Sequence, residues 1–374
     1  MILGFDATTL VGRMSGVGYY TARLMSGLAD GAGEGVVDRL VVLSNRPVEV
    51  APGPRLEVHE RGRFSVRSLW MQFVLPGVLR RLRPDLAHFT NYLAPLFCPV
   101  PYVVSVHDMS LTLLPECHTL KKRLLTSTFV PAVARAARLV LTPSESTRRD
   151  VIRLLGIDPA RVRTIPYAPP PEFGPLANGT DALAARGIRR PYFLYVGTIE
   201  PRKNLERTLR AFARLAPARP ELTFVLAGQI GWGCEGVLRE LARPELRGRV
   251  QVLGYVAEEE LPPLYAHAEA LVYPSLYEGF GLPVVEAMAC GCPVITSNGS
   301  SLAEVAGDAA LLVDPTDEDA LAAALEAVSG DGSLRASLRA RGLQHVARYT
   351  WSRTARETAL AYREALEMKE PRKP

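Results

Sequence analysis

Residues 273–297, YPSLYEGFGLPVVEAMACGCPVITS, constrain the fold more than any other stretch of the chain. Their pattern is that of a strand end, a glycine-rich turn, a helix and a second strand. Glycine permits close backbone approach in the turn, and Pro283 suits the first turn of a helix. The stretch predicts an α/β unit with a polar loop at the carboxyl edge of a parallel sheet, where open α/β sheets bind ligands.

The same turn combines an anion site with two carboxylates. The N–H groups around Gly281 and Leu282 would start the helix, and the positive end of its dipole favours phosphate. Glu278 precedes this turn and Glu286 follows it within the helix. Because a carboxylate repels a diphosphate, each is better used to accept hydrogen bonds from the hydroxyls of a sugar and a ribose. The turn therefore predicts a nucleotide-sugar site; the alternative is an ordinary structural corner.

Apolar strands and helices alternate along the whole chain, which indicates parallel sheets covered by helices on both faces. At 374 residues the chain is long for one α/β domain and comfortable for two. We expect a first domain over residues 1–168, a proline-rich linker over 169–190 and a second domain over 191–350. Residues 351–374 form a final helix.

Other strand ends carry candidate site residues. The predicted strand 102–106 delivers His107 to the carboxyl edge, although a histidine after a strand is often structural. The predicted strand 192–196 is followed by GTIEPRKN, in which Arg202 and Lys203 suit a diphosphate; they could instead begin a solvated helix. Gly16 and Gly18 follow the first strand without the full dinucleotide spacing, and we interpret them as a loop lining a cleft.

The formal net charge of +5 is concentrated in two basic stretches that lack acidic residues. Residues 61–83 and 121–138 each interleave cations with apolar side chains. The cations are Arg61, Arg63, Arg67, Arg80, Arg81 and Arg83 in the first, and Lys121, Lys122, Arg123, Arg135 and Arg138 in the second. Each stretch is either a helix with a solvated basic face or a peripheral contact with anionic lipid. Neither carries a nucleic-acid-binding motif, so we expect no nucleic acid partner.

The cysteines and the first strand bear on location. The five cysteines are odd in number and lack zinc-type spacing, which favours reduced thiols in the cytoplasm. The chain opens on a predicted strand that reaches Asp6 after a few apolar residues, unlike a secretory signal. We expect a cytoplasmic protein that can contact the inner face of the membrane.

The motif of Glu278, Gly279, Phe280, Gly281 and Glu286 resembles the double-glutamate signature of retaining glycosyltransferases of the GT-B fold, family 4. The resemblance covers essentially the whole chain and is strongest over residues 192–312. It implies an α/β protein of two Rossmann-like domains whose parallel sheets face each other across a cleft. It also implies that the final helix crosses back to the first domain.

The resemblance assigns roles to individual residues. Arg202 and Lys203 would stabilise the leaving diphosphate, with Gly197 in the same loop; Thr198 departs from the arginine that many members carry there. Glu286 would anchor the ribose, Glu278 the transferred sugar and His107 the far side of that sugar. Tyr255 lies in the loop that frames the base. No metal and no cofactor are expected, because the two cations and the helix N-terminus can neutralise the diphosphate.

The combination of GTIEPRKN with YEGFGLPVVEAMACGCPVI is similar to bacterial mannosyltransferases that build O-antigen or exopolysaccharide units. It implies retaining transfer of a hexosyl group from a nucleoside-diphosphate sugar, GDP-mannose first, to a saccharide acceptor. A lipid-linked acceptor is expected, and a soluble acceptor is the alternative. A UDP- or dTDP-sugar donor is the alternative within the family. A non-hydrolysing nucleotide-sugar epimerase and a non-catalytic binder are the alternatives outside it.

Overall fold

The computed structural model describes residues 1–12, 14, 16–49, 55–60, 64, 66–118, 120–176 and 180–368. The chain divides into two compact units, which are Met1–Tyr167 with Tyr349–Pro374, and Ala168–Arg348. The final helix therefore belongs to the first unit. Arg61 and Arg63 lie outside the described residues, as do the side chains of Lys121, Lys122 and Arg123.

The first unit contains a seven-stranded parallel sheet in the order β3-β2-β1-β4-β5-β6-β7. Its strands are β1 (Ile2–Asp6), β2 (Arg39–Ser44), β3 (Leu56–Glu60), β4 (Leu86–Phe89), β5 (Tyr102–Ser105), β6 (Leu139–Thr142) and β7 (Val162–Thr164). Its helices are α1 (Gly16–Gly27), α2 (Arg67–Leu69), α3 (Leu75–Leu82), α4 (Ser110–Leu113), α5 (Leu120–Ala136), α6 (Glu145–Leu155) and, at the chain end, α15 (Trp351–Glu367).

The second unit contains a six-stranded parallel sheet in the order β10-β9-β8-β11-β12-β13. Its strands are β8 (Tyr192–Val196), β9 (Thr223–Ala227), β10 (Val250–Gly254), β11 (Ala270–Tyr273), β12 (Val294–Ser297) and β13 (Leu311–Val313). Its helices are α7 (Thr180–Ala185), α8 (Leu205–Leu215), α9 (Glu235–Leu241), α10 (Leu261–Ala266), α11 (Leu282–Ala289), α12 (Ser300–Ala306), α13 (Glu318–Gly330) and α14 (Gly332–Val346).

The central strands are continuous apolar runs because helices cover both faces of each sheet. Every residue of β8 is buried, as is every residue of β11. In the second unit Phe193, Phe212 and Phe224 pack edge to face, with ring centroids 5.4–6.3 Å apart. This aromatic cluster joins β8, β9 and α8, so the loop between β8 and α8 starts from a rigid base.

The predicted alternation of strands and helices is confirmed in both units, with two strands that the sequence did not indicate. β3 lies at the edge of the first sheet, and Glu57 and Val58 in it are exposed. β7 lies at the other edge and includes Arg163 and Thr164, shortly before the predicted linker. Short edge strands with polar residues carry little periodic signal, and pairing with β2 and β6 forms them.

The interpretation of Gly16 and Gly18 as a loop is wrong, because both lie in the first turn of α1. A Cβ atom on Gly18 would lie 3.0 Å from the carbonyl oxygen of Thr9 and 3.2 Å from Cβ of Met14. The glycine thus allows the helix start to approach the preceding segment closely. Tertiary packing of α1 outweighs the low helix propensity of glycine.

Strand order also determines where ligands are expected. In the second sheet the order reverses between β8 and β11, which are neighbours although two strands intervene in sequence. Loops that leave such neighbouring strands in opposite directions open a crevice at their carboxyl ends. A ligand site is therefore expected among the residues that follow β8 and β11.

Candidate active site

The loops that follow β8 and β11 meet at the reversal point of the second sheet. Pro201–Lys203 forms a short 3₁₀ turn after β8, and Asn204 leaves it in a left-handed conformation with φ of 60°. The backbone N–H of Leu276, in the loop after β11, donates to the carbonyl of Arg202 at 2.9 Å. The Asn204 side chain donates to the carbonyl of Pro274 at 3.1 Å. These bonds hold the two loops in register, so their charged side chains meet.

Glu278 accepts hydrogen bonds from both predicted cations. Arg202 Nη1 donates to one carboxylate oxygen at 2.6 Å, and Lys203 Nζ donates to the other at 2.6 Å. Arg202 also bonds Glu200 through Nη2 at 2.8 Å. The side chains of Arg202, Lys203 and Glu278 are 12%, 9% and 9% exposed. The site is thus a buried cluster of two cations and two carboxylates.

Burial and charge act in opposite directions on this cluster. Burial favours the neutral form of Glu278, but Arg202 and Lys203 outweigh it and lower the pKa of the carboxyl from 4.5 to about 2. Burial and the neighbouring Arg202 lower the pKa of the Lys203 ammonium, while Glu278 acts to raise it. Glu278 is therefore ionised at neutral pH and is the main partner of both cations.

Tyr273 completes the hydrogen bonding of the cluster. Lys203 Nζ donates to the Tyr273 hydroxyl at 2.5 Å, and that hydroxyl donates to Glu278 at 3.1 Å. Burial, followed by the charge of Glu278, raises the pKa of Tyr273 well above 10.0, so the phenol stays protonated. The ring stacks on Tyr195 with centroids 5.9 Å apart. Tyr273 therefore fixes the positions of both charged partners.

The backbone of Glu278 is fixed by the start of α12. The hydroxyl of Ser300 accepts from the N–H of Glu278 at 3.2 Å, and the hydroxyl of Ser301 donates to its carbonyl at 2.9 Å. Ser300 has φ of 52°, an uncommon conformation for a residue other than glycine. Such outliers concentrate at functional sites, and this one orients the hydroxyl that holds Glu278.

Gly279, Phe280 and Gly281 are buried and lead into α11, with Leu282 half-buried at its first position. Gly281 has φ of 97°, and a Cβ atom there would lie 2.5 Å from Cδ2 of Leu302. The left-handed φ suits glycine, and any side chain at this position would also have to displace the side chain of Leu302. The backbone N–H groups of Gly281 and Leu282, at the start of α11, therefore follow directly on the Glu278 cluster.

Glu286 lies within α11 and accepts a hydrogen bond from the hydroxyl of Tyr265 at 2.8 Å. Tyr265 is fully buried in α10. The bond holds the Glu286 side chain, which is half-buried, on the side of α11 that faces α10. One carboxylate oxygen is fixed by this contact, which restricts the directions in which Glu286 can accept further hydrogen bonds.

Gly197 and Tyr255 follow β8 and β10 at the same sheet edge. Gly197 has φ of 138°, and its carbonyl lies so close to Gly228 that a Cβ atom on Gly228 would collide with it. The close approach brings the loops after β8 and β9 together. Tyr255 is 42% exposed and follows Gly254, which has φ of 70°. Its role at the base stays a prediction.

His107 lies in the first unit after β5, and both of its ring nitrogens are engaged there. Nε2 donates to the carbonyl of Thr90 at 2.7 Å, because a carbonyl can only accept. Nδ1 consequently accepts from the hydroxyl of Tyr167 at 2.6 Å. Burial lowers the pKa of His107, so the ring is neutral. Its role at the transferred sugar stays a prediction.

Sequence reasoning missed Glu200, Tyr273 and the Ser300–Ser301 pair. Glu200 stands next to the PRK triplet, and a carboxylate beside adjacent cations is a signal that could have been used. Tyr273 ends an apolar strand and looks like a core residue. The serines begin α12 and resemble ordinary helix-start residues. Asp317 caps α13 by accepting from the N–H of Ala320 at 2.9 Å.

Comparison with known proteins identifies the family of the chain. Residues 14–171 match the family model Glycosyltransferase Family 4, and residues 184–345 match Glycosyl transferases group 1. The chain is 36% identical over 266 residues to O-antigen chain mannosyltransferase B of Escherichia coli, and the match covers 70% of each chain.

Two solved structures share the fold. Sucrose-phosphate synthase from Thermosynechococcus elongatus superposes with a TM-score of 0.77 at 21% identity, over 98% of this chain and 99% of that one. HepE of Anabaena, solved in complex with UDP and glucose, has a TM-score of 0.74 at 20% identity, over 98% and 100%.

The chain therefore belongs to the group 1, family 4 glycosyltransferases and has the GT-B fold. Membership of this family makes it a nucleotide-sugar-dependent transferase.

Proposed function

We propose that this glycosyltransferase moves a mannosyl group from GDP-mannose to a hydroxyl of a lipid-linked saccharide, with retention at the anomeric carbon, in cell-surface polysaccharide synthesis. The observation that carries the proposal is the buried pair Arg202 and Lys203, held by Glu278 at the reversal point of the second sheet. The identity to an O-antigen mannosyltransferase supports the choice of mannose. The proposal also includes location at the cytoplasmic face of the membrane and independence from metal ions.

The two cations would act on the leaving group. A nucleoside diphosphate that departs from the sugar gains negative charge, and fixed cations in a site of low dielectric constant stabilise that charge without reorganisation. The N-terminus of α11 adds backbone donors beside them. These groups together supply the role that a divalent cation has in other transferases.

Glu278 would have two tasks. It holds Arg202 and Lys203 in place, and its carboxylate can also accept hydrogen bonds from hydroxyls of the transferred sugar. Both tasks need a carboxylate that stays ionised at neutral pH. Glu286 would accept from the ribose hydroxyls, in an orientation set by its bond to Tyr265.

Retention would follow a front-face route. The bond between the anomeric carbon and the phosphate oxygen breaks, the acceptor oxygen bonds to the same face, and the acceptor proton passes to the departing diphosphate. Covalent retention requires a carboxylate at the anomeric carbon. Glu278 is engaged with both cations, which makes it a poor nucleophile.

The proposal is tested by release of nucleoside diphosphate from GDP-, UDP- and dTDP-sugars, with EDTA present and a lipid extract added or withheld. We expect release from GDP-mannose that requires the extract, and a loss of about 100-fold or more in Lys203→Ala. Release from a UDP- or dTDP-sugar instead would overturn the choice of GDP-mannose as donor and would still support a transfer reaction. Interconversion of the sugar without acceptor would favour the epimerase, and binding without release from any donor would favour a non-catalytic binder.

A further inference from the structure

Glu200 is a buried carboxylate to which the proposed transfer reaction gives no task. It follows β8 and is 6% exposed. Its backbone is extended, and its carbonyl accepts from the N–H of Lys203 at 3.0 Å. The preceding residue, Ile199, bonds the loop after β9 through the carbonyl of Gln229 and the N–H of Gly231, each at 2.8 Å. The position of Glu200 beside the two cations is therefore fixed.

The guanidinium of Arg202 is shared between Glu200 and Glu278. Its Nη2 donates to Glu200 at 2.8 Å. Its Nη1 donates to Glu278 at 2.6 Å and to the carbonyl of Tyr277 at 2.8 Å. The contacts with Tyr277 and Glu278 already orient the planar guanidinium. What Glu200 adds to this arrangement is a second negative charge.

The charge of Glu200 also acts on Lys203. Burial has the largest effect on the pKa of the Lys203 ammonium and lowers it, as does Arg202, whereas the charges of Glu278 and Glu200 act to raise it. Two cations thus face two carboxylates, and the charges of the cluster balance. An anionic ligand meets cationic donors in this site without meeting a net positive charge.

This balance bears on the departure of the nucleoside diphosphate. Cleavage of the bond to the sugar frees a phosphate oxygen, so the product carries about one more negative charge than the nucleotide sugar. Cations that stabilise this charge in the transition state also bind the product once it has formed. A fixed negative charge beside the cations weakens that binding, because like charges repel strongly in a site of low dielectric constant.

We propose that Glu200 balances the charge of Arg202 and so limits the affinity of the site for the nucleoside diphosphate product, which promotes its release. The inference rests on the proposed function, because it takes Arg202 and Lys203 as the diphosphate site. Glu278 alone balances one of the two cations, so the second cation requires a second carboxylate. A Glu200 that only held Arg202 in place would strengthen nucleotide binding, and its loss would weaken that binding.

The test is calorimetric titration of the full chain with GDP, UDP and dTDP at about 0.1 M salt, without donor sugar or acceptor. Glu200→Gln keeps an acceptor oxygen for Arg202 and removes the charge, so its Kd for the diphosphate that wild type binds should fall about tenfold. Glu200→Asp keeps the charge on a shorter side chain, so its Kd should stay within about threefold of the wild-type value.

Glu245→Gln is the matched control, since the Glu245 side chain is 42% exposed and its carboxylate lies 3.5 Å from Arg243 in the same unit. It removes the same charge beside an arginine, and its Kd should equal that of wild type. Equal or weaker diphosphate binding by Glu200→Gln would overturn the inference and leave the proposed function standing, as would tighter binding by Glu200→Asp of about tenfold. A wild type that binds none of the three diphosphates would overturn both.

Discussion

A buried polar cluster around His88 in the first unit and the cluster around Glu278 in the second differ in charge. In the first unit His88 bonds the hydroxyl of Tyr362 at 2.7 Å and that of Ser105 at 2.8 Å, and Ser105 bonds the hydroxyl of Tyr20 at 2.9 Å. All four residues are buried. Burial, with a smaller effect of His107, lowers the pKa of His88 from 6.5 to about 3. The cluster is therefore neutral, and it ties α1, β4 and β5 to α15.

The cluster of the second unit keeps its charges despite burial. Arg202, Lys203, Glu200 and Glu278 are each less than 13% exposed by their side chains. Holding ions in a protein interior costs several kcal/mol per ion, which close pairing offsets. Burying a neutral, hydrogen-bonded cluster costs less free energy than burying ions. The difference supports the proposal that the second cluster serves the transfer reaction, whereas the first stabilises its unit.

Glu278→Gln tests the charged cluster and is expected to have the largest effect. The neutral amide cannot balance Arg202 and Lys203, so we expect the free energy of unfolding to fall by about 3 kcal/mol. Turnover should fall by about 100-fold to 1000-fold, because the cations lose their fixed positions. Urea unfolding and nucleoside diphosphate release measure the two effects.

Glu357→Gln is the control, since Glu357 pairs with Arg353 at 2.7 Å on the surface of α15. Such pairs contribute about 0.5 kcal/mol, and turnover should be unchanged. A Glu278→Gln enzyme with wild-type turnover would contradict the assignment of the charged cluster to catalysis.

His88→Gln tests the neutral cluster through pH. The unfolded chain protonates histidine near pH 6.5, whereas folded His88 stays neutral down to about pH 3. Between these values the unfolded state binds more protons, so the stabilisation from His88 is complete above pH 6.5 and is lost as pH falls. We expect the variant to be less stable than wild type by about 2 kcal/mol at pH 7.5, with the gap nearly closed at pH 5.

The comparison of two proteins cancels the titration of the carboxylates and of the other histidines, because both proteins contain them. Urea unfolding at the two pH values measures the gap. A gap of equal size at both would mean that His88 is not held neutral by burial. Turnover at pH 7.5 should remain that of wild type in native protein.

Tyr273→Phe tests a single hydroxyl of the charged cluster and is expected to have the smallest effect. The variant keeps the ring stacked on Tyr195 but removes the hydroxyl between Lys203 and Glu278. We expect a loss of about 1 kcal/mol in stability and about tenfold in kcat/KM for the donor sugar. Tyr192→Phe is the control, because its buried hydroxyl donates to the carbonyl of Leu264 at 2.7 Å, outside the cluster. It should lose similar stability without loss of kcat/KM. Equal kinetic losses in both variants would mean that the Tyr273 hydroxyl only stabilises the fold.

The sequence alone determined the parts of this protein that depend on short-range pattern. Continuous apolar runs predicted β8 and β11, because strands buried on both faces leave no polar position. Proline and glycine predicted the start of α11. Polar loops after parallel strands share one sheet edge, and this position together with the family resemblance predicted Arg202, Lys203 and Glu278 in one site.

Tertiary structure alone decided which of these elements are neighbours and how the side chains pair. β8 lies beside β11, and Lys203 meets Glu278 across 75 residues of sequence. His88 meets Tyr362 across 274 residues, and no local pattern marks either residue as a partner of the other. Contacts between distant residues follow from strand order and packing, which are properties of the whole chain, whereas propensity and periodicity report only on neighbours in sequence.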